Sequence, residues 1–381
     1  MTGPLLSPGP PAGPAGLDGP GQPDGEEVYA AALAGLPHLT PARLGRLLAG
    51  RSSEASWASV LAGEVVVVPG RRSSCTAEQL AGAWAGHARR VDLDRLRAHY
   101  RAAGVQVLRL GRSGYPRVLA EGPQPPPVLF LRGTLAAVDH PRVAVIGTRS
   151  ATHYGQEMAA ELGAGLARAG VSVVSGLALG VDGAAHEGAL AGAGSRPDQA
   201  PLLGVVGSGL DVVYPPSHAR LWGRVAGAGG LVSEAPLGAG AEPWRFPWRN
   251  RLLAAFADVV VVVECHRTGG SLSTVEAAAR RGATVLAVPG SVRSPASEGT
   301  NALIAEGCPP ARDVDDVLVA LELCGARLGG PADTPGGPSQ PGRCGDRRPS
   351  GPDAEIWAAL DTEPTPTEAV LARTGLPLGR L

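Results

Sequence analysis

The sequence predicts an α/β protein built on one doubly wound, mostly parallel sheet, and three observations carry that prediction. Between residues 143 and 290 a short β-branched or apolar run recurs six times. Each run closes on Gly, Ser, Glu or Pro, and a helix-like stretch usually follows. The runs are continuous rather than alternating, as strands buried on both faces should be. In such sheets ligands sit outside the carboxyl ends of the strands, so the polar residues at the run ends mark the candidate site.

In chain order, residues 1–25 are dominated by Pro and Gly and are expected to be disordered. Residues 26–104 read as a small helical domain, with Thr40 as an N-cap and Pro41 as the first residue of a helix reaching Leu48. A core follows over residues 105–325. Its first strands are expected at 105–110 and 128–131, then the six runs at 143–146, 171–174, 202–206, 230–232, 259–263 and 283–288. Residues 326–352 are a Gly-, Pro- and Ser-rich linker. Residues 353–381 hold two short helical patterns, the second capped by Gly375, and are too few to bury a core alone.

Composition narrows the chemistry. The chain has 381 residues and a formal net charge of -1, so any anion site must be a local cluster. All 34 basic residues are Arg, which removes a Walker A loop, a Schiff-base lysine and a lysine nucleophile. Cys75, Cys265, Cys308, Cys324 and Cys344 are scattered, without a C-x-x-C pair. That argues against a zinc site or a disulfide scaffold and fits a reducing compartment. The N-terminus lacks the basic start and apolar run of a signal peptide, and no apolar run approaches the ~20 residues of a bilayer span. A cytoplasmic protein without membrane contact is expected.

The run ends supply the motifs. Gly147, Thr148, Arg149 and Ser150 follow the first core run, ahead of Tyr154, Gly155 and a helix. This arrangement offers helix N–H groups and a guanidinium fork to an anion; the alternative is that Arg149 pairs with a neighbouring carboxylate. Ser175 and Gly176 end the second run, and Asp182 and His186 follow, four apart and on one helix face. A Ser-His-Asp hydrolase is conceivable, but without a G-x-S-x-G elbow the favoured reading is structural, Asp182 capping the helix and His186 bonding to it or to a loop. The densest cluster is Trp244, Arg245, Phe246, Pro247, Trp248, Arg249, Asn250 and Arg251. Pro247 suits a first helical turn, placing Arg249, Asn250 and Arg251 at the positive end. Interleaved guanidinium and aromatic groups suit the phosphates and unstacked bases of a single strand. Gly269, Gly270, Ser271 and Thr274 form a further small-residue turn able to admit a phosphate.

Taken together these stretches resemble the DprA/Smf family of DNA-processing proteins. The resemblance rests on Gly147-Thr148-Arg149 with Tyr154-Gly155, on Ser175-Gly176 with Gly180, Asp182 and His186, and on Tyr214-Pro215. It continues through Phe246-Pro247, Arg249-Asn250-Arg251, Gly270-Ser271 with Thr274, Pro289-Gly290, and Gly299-Thr300-Asn301 with Leu303-Ile304. It implies a Rossmann-like domain that binds single-stranded DNA and passes it to the RecA recombinase during DNA uptake and recombination. It further implies a homodimer, a non-catalytic role, and no nucleotide, metal or other cofactor. The DNA-binding residues it implies are Gly147, Thr148, Arg149, Ser150, Tyr154, Ser175, Gly176, Phe246, Arg249, Asn250, Arg251, Gly270, Ser271 and Thr274. By the same resemblance the helical segment is similar to the SAM or helix-hairpin-helix domain that often precedes the core. The C-terminal segment is similar to the opening of a winged helix, expected to lack its last helix and wing. The absence of Lys means that phosphate contacts fall to Arg. A second reading is a Rossmann-like nucleoside-monophosphate phosphoribohydrolase, with Gly269, Gly270, Thr274 and Glu276 as its turn and acid.

Overall fold

A computed structural model describes residues 25–65, 76–193, 200–326 and 373 of the chain. The Pro/Gly-rich start, the expected linker beyond residue 326 and, residue 373 apart, the winged-helix-like segment lie outside the described residues.

Five helices come first: α1 (Gly25–Ala34), α2 (Pro41–Leu48), α3 (Ser53–Ala62), α4 (Ala77–Ala88) and α5 (Leu93–Ala102). Thr40 caps α2 by accepting from Arg43 N, and Pro41 opens it, as its fixed φ and missing N–H favour. The α/β part then runs β1 (Val105–Arg109), α6 (Arg117–Ala120), β2 (Val128–Gly133), β3 (Arg142–Ile146), α7 (His153–Arg168), β4 (Ser172–Ser175) and α8 (Val181–Ala193). It continues with β5 (Leu202–Val205), α9 (Ala219–Gly227), β6 (Gly229–Ser233), α10 (Arg245–Phe256), β7 (Val259–Val262), α11 (Leu272–Ala279), β8 (Thr284–Ala287), α12 (Glu298–Ala305) and α13 (Val314–Leu323). Every strand expected from the sequence is present, within two residues at either end.

The eight strands form one sheet in the order β1-β2-β6-β5-β4-β3-β7-β8. The six from β6 to β8 are mutually parallel, with Val145 beside Val261 and Leu203 beside Gly230 in register. β2 adds antiparallel to the β6 edge, Leu131 opposite Val232, and β1 pairs antiparallel outside it. Both faces are covered, and the alternation of side chains divides each run between two cores. Val143, Val145, Val259 and Val261 pack towards Leu162, Leu166, Ala185, Val225 and Leu321 of α7, α8, α9 and α13. Ala144, Ile146, Val260 and Val262 pack towards Leu119, Leu252, Phe256, Ala278 and Leu303 of α6, α10, α11 and α12. This is why the runs are almost wholly apolar, with Ser172 and Thr284 the polar exceptions: in the middle of the sheet neither face of a strand meets water.

The first core also holds Leu33, Trp57, Trp84 and Tyr100 of the helical segment together with Val107 and Phe130 of β1 and β2. Glu26 bridges to Arg109 at 2.7 Å, and the Tyr100 hydroxyl accepts from Leu237 N at 3.1 Å. The helical segment and the antiparallel edge therefore share one apolar cluster.

Candidate nucleic-acid interface

Strands β4, β5 and β6 extend the sheet on one side of β3, and β7 and β8 extend it on the other. The loops leaving β3 and β7 therefore diverge, and a crevice opens at this switch point. A cavity of about 670 Å³ occupies it. Gly147, Thr148 and Arg149 line it from the β3 loop, and Phe246, Arg249 and Asn250 from the first turns of α10. Gly270 and Ser271 line it from the turn before α11, and Thr274 from the first turn of α11. Asn250 joins the last two groups, its Nδ2 donating to Gly270 O at 3.1 Å and to Ser273 Oγ at 2.8 Å. Gly176 borders a smaller adjoining recess with Tyr214 and Phe246, and Ser150 stands exposed at the turn beside Arg149.

Three other residues picked from the sequence lie outside the cleft wall and have internal partners. The Tyr154 hydroxyl donates to Pro289 O at 2.9 Å. Ser175 is buried, and its hydroxyl donates to Val145 O at 2.6 Å, tying β4 to β3. Arg251 donates to Gln124 O at 2.6 Å, pairs with Glu234, and stacks on Trp248. A phosphate could engage these side chains only by displacing those bonds.

Arg249 also departs from the surface cation the sequence pattern calls for. It is buried, and its NH1 donates to Gly176 O at 3.0 Å and to Val205 O. Opposite it stands Asp182, buried in the first turn of α8. Its carboxylate accepts the Gly176 N–H at 3.1 Å, and the backbone of Gly147 and Ala178 also favours its charged form. Burial pushes the Asp182 carboxyl up, while Arg249 and these backbone groups oppose that shift. Burial likewise pushes Arg249 down to about 10, against the pull of Asp182, so it remains protonated at neutral pH. Arg249 is a buried strut that ties the ends of β4 and β5 to α10, with the Asp182 carboxylate offsetting its charge. Gly176 is required between them, since a Cβ there would collide with the Arg249 guanidinium and the Asp182 carboxylate.

The helix N-terminus expected to receive an anion already has one. Glu264, buried at the end of β7, accepts from Thr152 N at 2.8 Å and from Thr152 Oγ1 at 2.6 Å, and Thr152 in turn caps α7. A carboxylate placed there offsets the positive end of the helix dipole. The α7 N-terminus therefore serves the fold, and an incoming phosphate must look to Arg149.

Arg149 is exposed, and among the described residues no carboxylate pairs with it. Its guanidinium lies 4.5 Å from the centroid of the Phe246 ring, within cation–π range. On the same ring, Tyr214 sits at 5.5 Å between centroids and is 42% exposed. A cation and two aromatic faces thus line one rim of the cleft. Tyr214 was absent from the site residues drawn from sequence. Its only local signal was a Tyr-Pro step ending a Gly-rich loop, and its contact with Phe246 spans many residues of chain.

No hydrolytic triad forms. The Ser175 hydroxyl is taken by β3, Asp182 by the Gly176 amide, and neither His186 nitrogen reaches a hydrogen bond of proper geometry among the described residues. His186 therefore does not bond to Asp182 as the helix-face reading expected. Glu276 fails the phosphoribohydrolase reading in the same way, being exposed on α11, 3.8 Å from Arg280 and outside the cleft lining. Among the described residues no cluster of three or more His, Cys, Asp or Glu is placed to hold a metal ion. No described helix is long and apolar enough to cross a membrane.

Burial pushes His186 down to about 4, with His218 acting in the same direction and the Ser175 backbone opposing. The unfolded chain therefore binds the proton more readily between about pH 4 and 6.5. The contribution of neutral His186 is complete above pH 6.5 and is lost as pH falls towards 4, up to about 3 kcal/mol. Denaturant titrations at pH 7 and pH 4.5 should show His186→Leu losing less stability, or gaining more, than the parent protein as pH falls, with Glu234, pushed up to about 7 by burial, acting in the opposite direction in both. An equal pH dependence in the variant would reject the assignment.

Residues 106–322 match the family model described as DNA recombination-mediator protein A. The chain belongs to that family. Protein Smf of Escherichia coli K12 is 34% identical over 266 residues, which are 69% of this chain and 68% of the relative. Among solved structures, the X-ray structure of DNA processing protein A from Streptococcus pneumoniae aligns with a TM-score of 0.62 at 29% identity, covering 78% of this chain and 98% of that one. The structure describing the single-stranded DNA binding mode of DNA processing protein A from Helicobacter pylori aligns with a TM-score of 0.51 at 28% identity, covering 58% and 97%. The family match spans β1 through α13 almost entirely, so it includes both the parallel sheet and its antiparallel edge.

Proposed function

We propose that this protein binds single-stranded DNA in the switch-point cleft and delivers the strand to the RecA recombinase, without chemistry of its own and as a homodimer. The observation that carries the binding reading is the exposed Arg149, stacked on Phe246 beside the half-exposed Tyr214. The guanidinium meets a phosphate, and the rings offer faces to bases that a duplex keeps stacked. Arg249 acts from beneath, as a support for the loops rather than a contact. Membership of a recombination-mediator family supports delivery to a recombinase, and the single-strand binding of the Helicobacter pylori relative supports the ligand.

The test is a titration of the intact protein against a labelled single strand and the matching duplex at several salt concentrations. Affinity should fall with salt as counterions are released, and the single strand should bind more tightly. Tyr214→Ala should weaken single-strand binding roughly 5- to 100-fold, the range of one stacked base. Arg149→Ala should weaken it and flatten the salt slope by about one phosphate contact. Salt-independent affinity, or equal affinity for duplex, would reject the reading. Filament assembly by RecA, with and without the protein, tests delivery separately.

A further inference from the structure

The segments at the carboxyl ends of the strands are charged unequally on the two sides of the switch point. Residues 206–218 after β5 and 234–244 after β6 contain Asp211, Glu234 and Glu242 and no arginine. Arg245, which opens α10 next to them, feels Glu242 and Glu234. Residues 147–152 after β3, 263–271 after β7 and 288–297 after β8 contain Arg149, Arg267 and Arg293. The carboxylate among them, Glu264, is buried and held by Thr152. Arg267 and Arg293 are exposed, and among the described residues neither guanidinium has a hydrogen-bond or carboxylate partner. Glu298, which opens α12 just beyond, does not pair with Arg293.

The three arginine-bearing segments form one continuous rim. Thr148 N donates to Glu264 O at 2.8 Å, which joins the β3 loop to the end of β7. Gly299 N donates to Cys265 O at 2.7 Å, which sets the start of α12 against the β7 loop. Asn301 fixes the β8 loop, accepting from Gly290 N at 3.2 Å and donating to Gly290 O at 3.1 Å. Tyr154 reaches Pro289 O of the same loop from the first turn of α7. Because β3, β7 and β8 are neighbours in the sheet, their ends follow one another at about 4.8 Å. Exposed guanidinium groups repeated along a fixed edge suit a phosphate backbone, which carries its charges at regular intervals. We propose that a single strand held in the switch-point cleft leaves it over the β7 and β8 loops, with Arg267 and Arg293 contacting phosphates beyond the one at Arg149. The carboxylates after β5 and β6 repel the same backbone, so the exit is one-sided. This inference rests on strand binding in the cleft and adds its direction and two contacts.

The test is a salt series of titrations with a labelled single strand of about 16 nucleotides, the upper end of site sizes for single-strand binders. The full chain is compared with Arg267→Ala/Arg293→Ala, Arg149→Ala and Arg220→Ala. Each phosphate contact contributes about 0.7 to the slope of log affinity against log salt, or about 5-fold for each tenfold dilution below 1 M. The double variant should therefore bind about 25-fold more weakly at 0.1 M salt, with its slope reduced by about 1.4. Its unfolding curve should match the parent, since both side chains are exposed and unpartnered. Arg220 is an exposed arginine in the first turn of α9, on the β5 side, and its loss should change affinity far less. An unchanged double variant beside a weakened Arg149→Ala would overturn the exit path and leave strand binding in the cleft standing. An effect of Arg220→Ala equal to that of Arg267→Ala or Arg293→Ala alone would also overturn it, since general charge rather than a track would then hold the strand. A parent protein that binds no strand would overturn both readings.

Discussion

Asp182→Ala is expected to lower the unfolding free energy by about 3–5 kcal/mol, the cost of leaving a buried charge without its partner. Arg249 is buried at the floor of the cleft, and the Gly176 amide loses its acceptor in the same step. Denaturant unfolding measures the loss directly. The double variant Asp182→Ala/Arg249→Met should recover part of it, because removing both charges relieves the unpaired guanidinium. If the single and double variants are equally unstable, the lost backbone acceptor rather than the charge on Arg249 accounts for the loss. Single-strand binding should fall with stability, since the loop carrying Gly176 hangs from that carboxylate.

Gly188→Val is expected to cost about 3 kcal/mol through overpacking at the contact between α7 and α8. Here backbone meets backbone. A Cβ at Gly188 would collide with the Ala160 carbonyl, one at Gly192 with the Ala164 carbonyl, and one at Gly163 with the Ala185 carbonyl. No flexible side-chain end is available to move aside, so the helices must separate. Their N-termini lead from the Arg149 loop and the Gly176 loop, so separation should also disturb the cleft. Thermal or denaturant unfolding tests the magnitude, with Glu187→Ala, on the exposed side of the same helix, as the comparison expected to change stability far less. A Gly188→Val protein of unchanged stability would show that the two helices are not held in this contact.

The residues of the cleft were legible in the sequence to different depths. Arg149 could be picked out because it follows a strand end, marked locally by a change from β-branched residues to small or polar ones, and Phe246 and Asn250 because they lie in a dense run of arginines and aromatics. What Arg249 does could not be read that way. Its partners, Gly176 and Val205, lie on other strands, and burial converts a surface-looking arginine into a strut. Glu264 shows the same limit. It sits at a strand end like the other site residues, yet folding places its carboxylate on Thr152, 112 residues away, where it closes the α7 N-terminus to outside anions. Tyr214 became a candidate only when its ring was found against Phe246.

By itself the sequence determined the α/β class, the positions of the eight strands, the capped start of α2 and the family. These depend on local pattern: runs whose neighbours on both faces are apolar, a Thr-Pro start, and short motifs in a set order. Only the tertiary structure decided that β1 and β2 extend the parallel sheet with an antiparallel edge, and which arginines are free. Strand pairing and charge pairing are contacts between residues far apart in the chain. A guanidinium can meet a phosphate, a carboxylate or a carbonyl, and which of them it meets depends on what folding brings within about 3 Å.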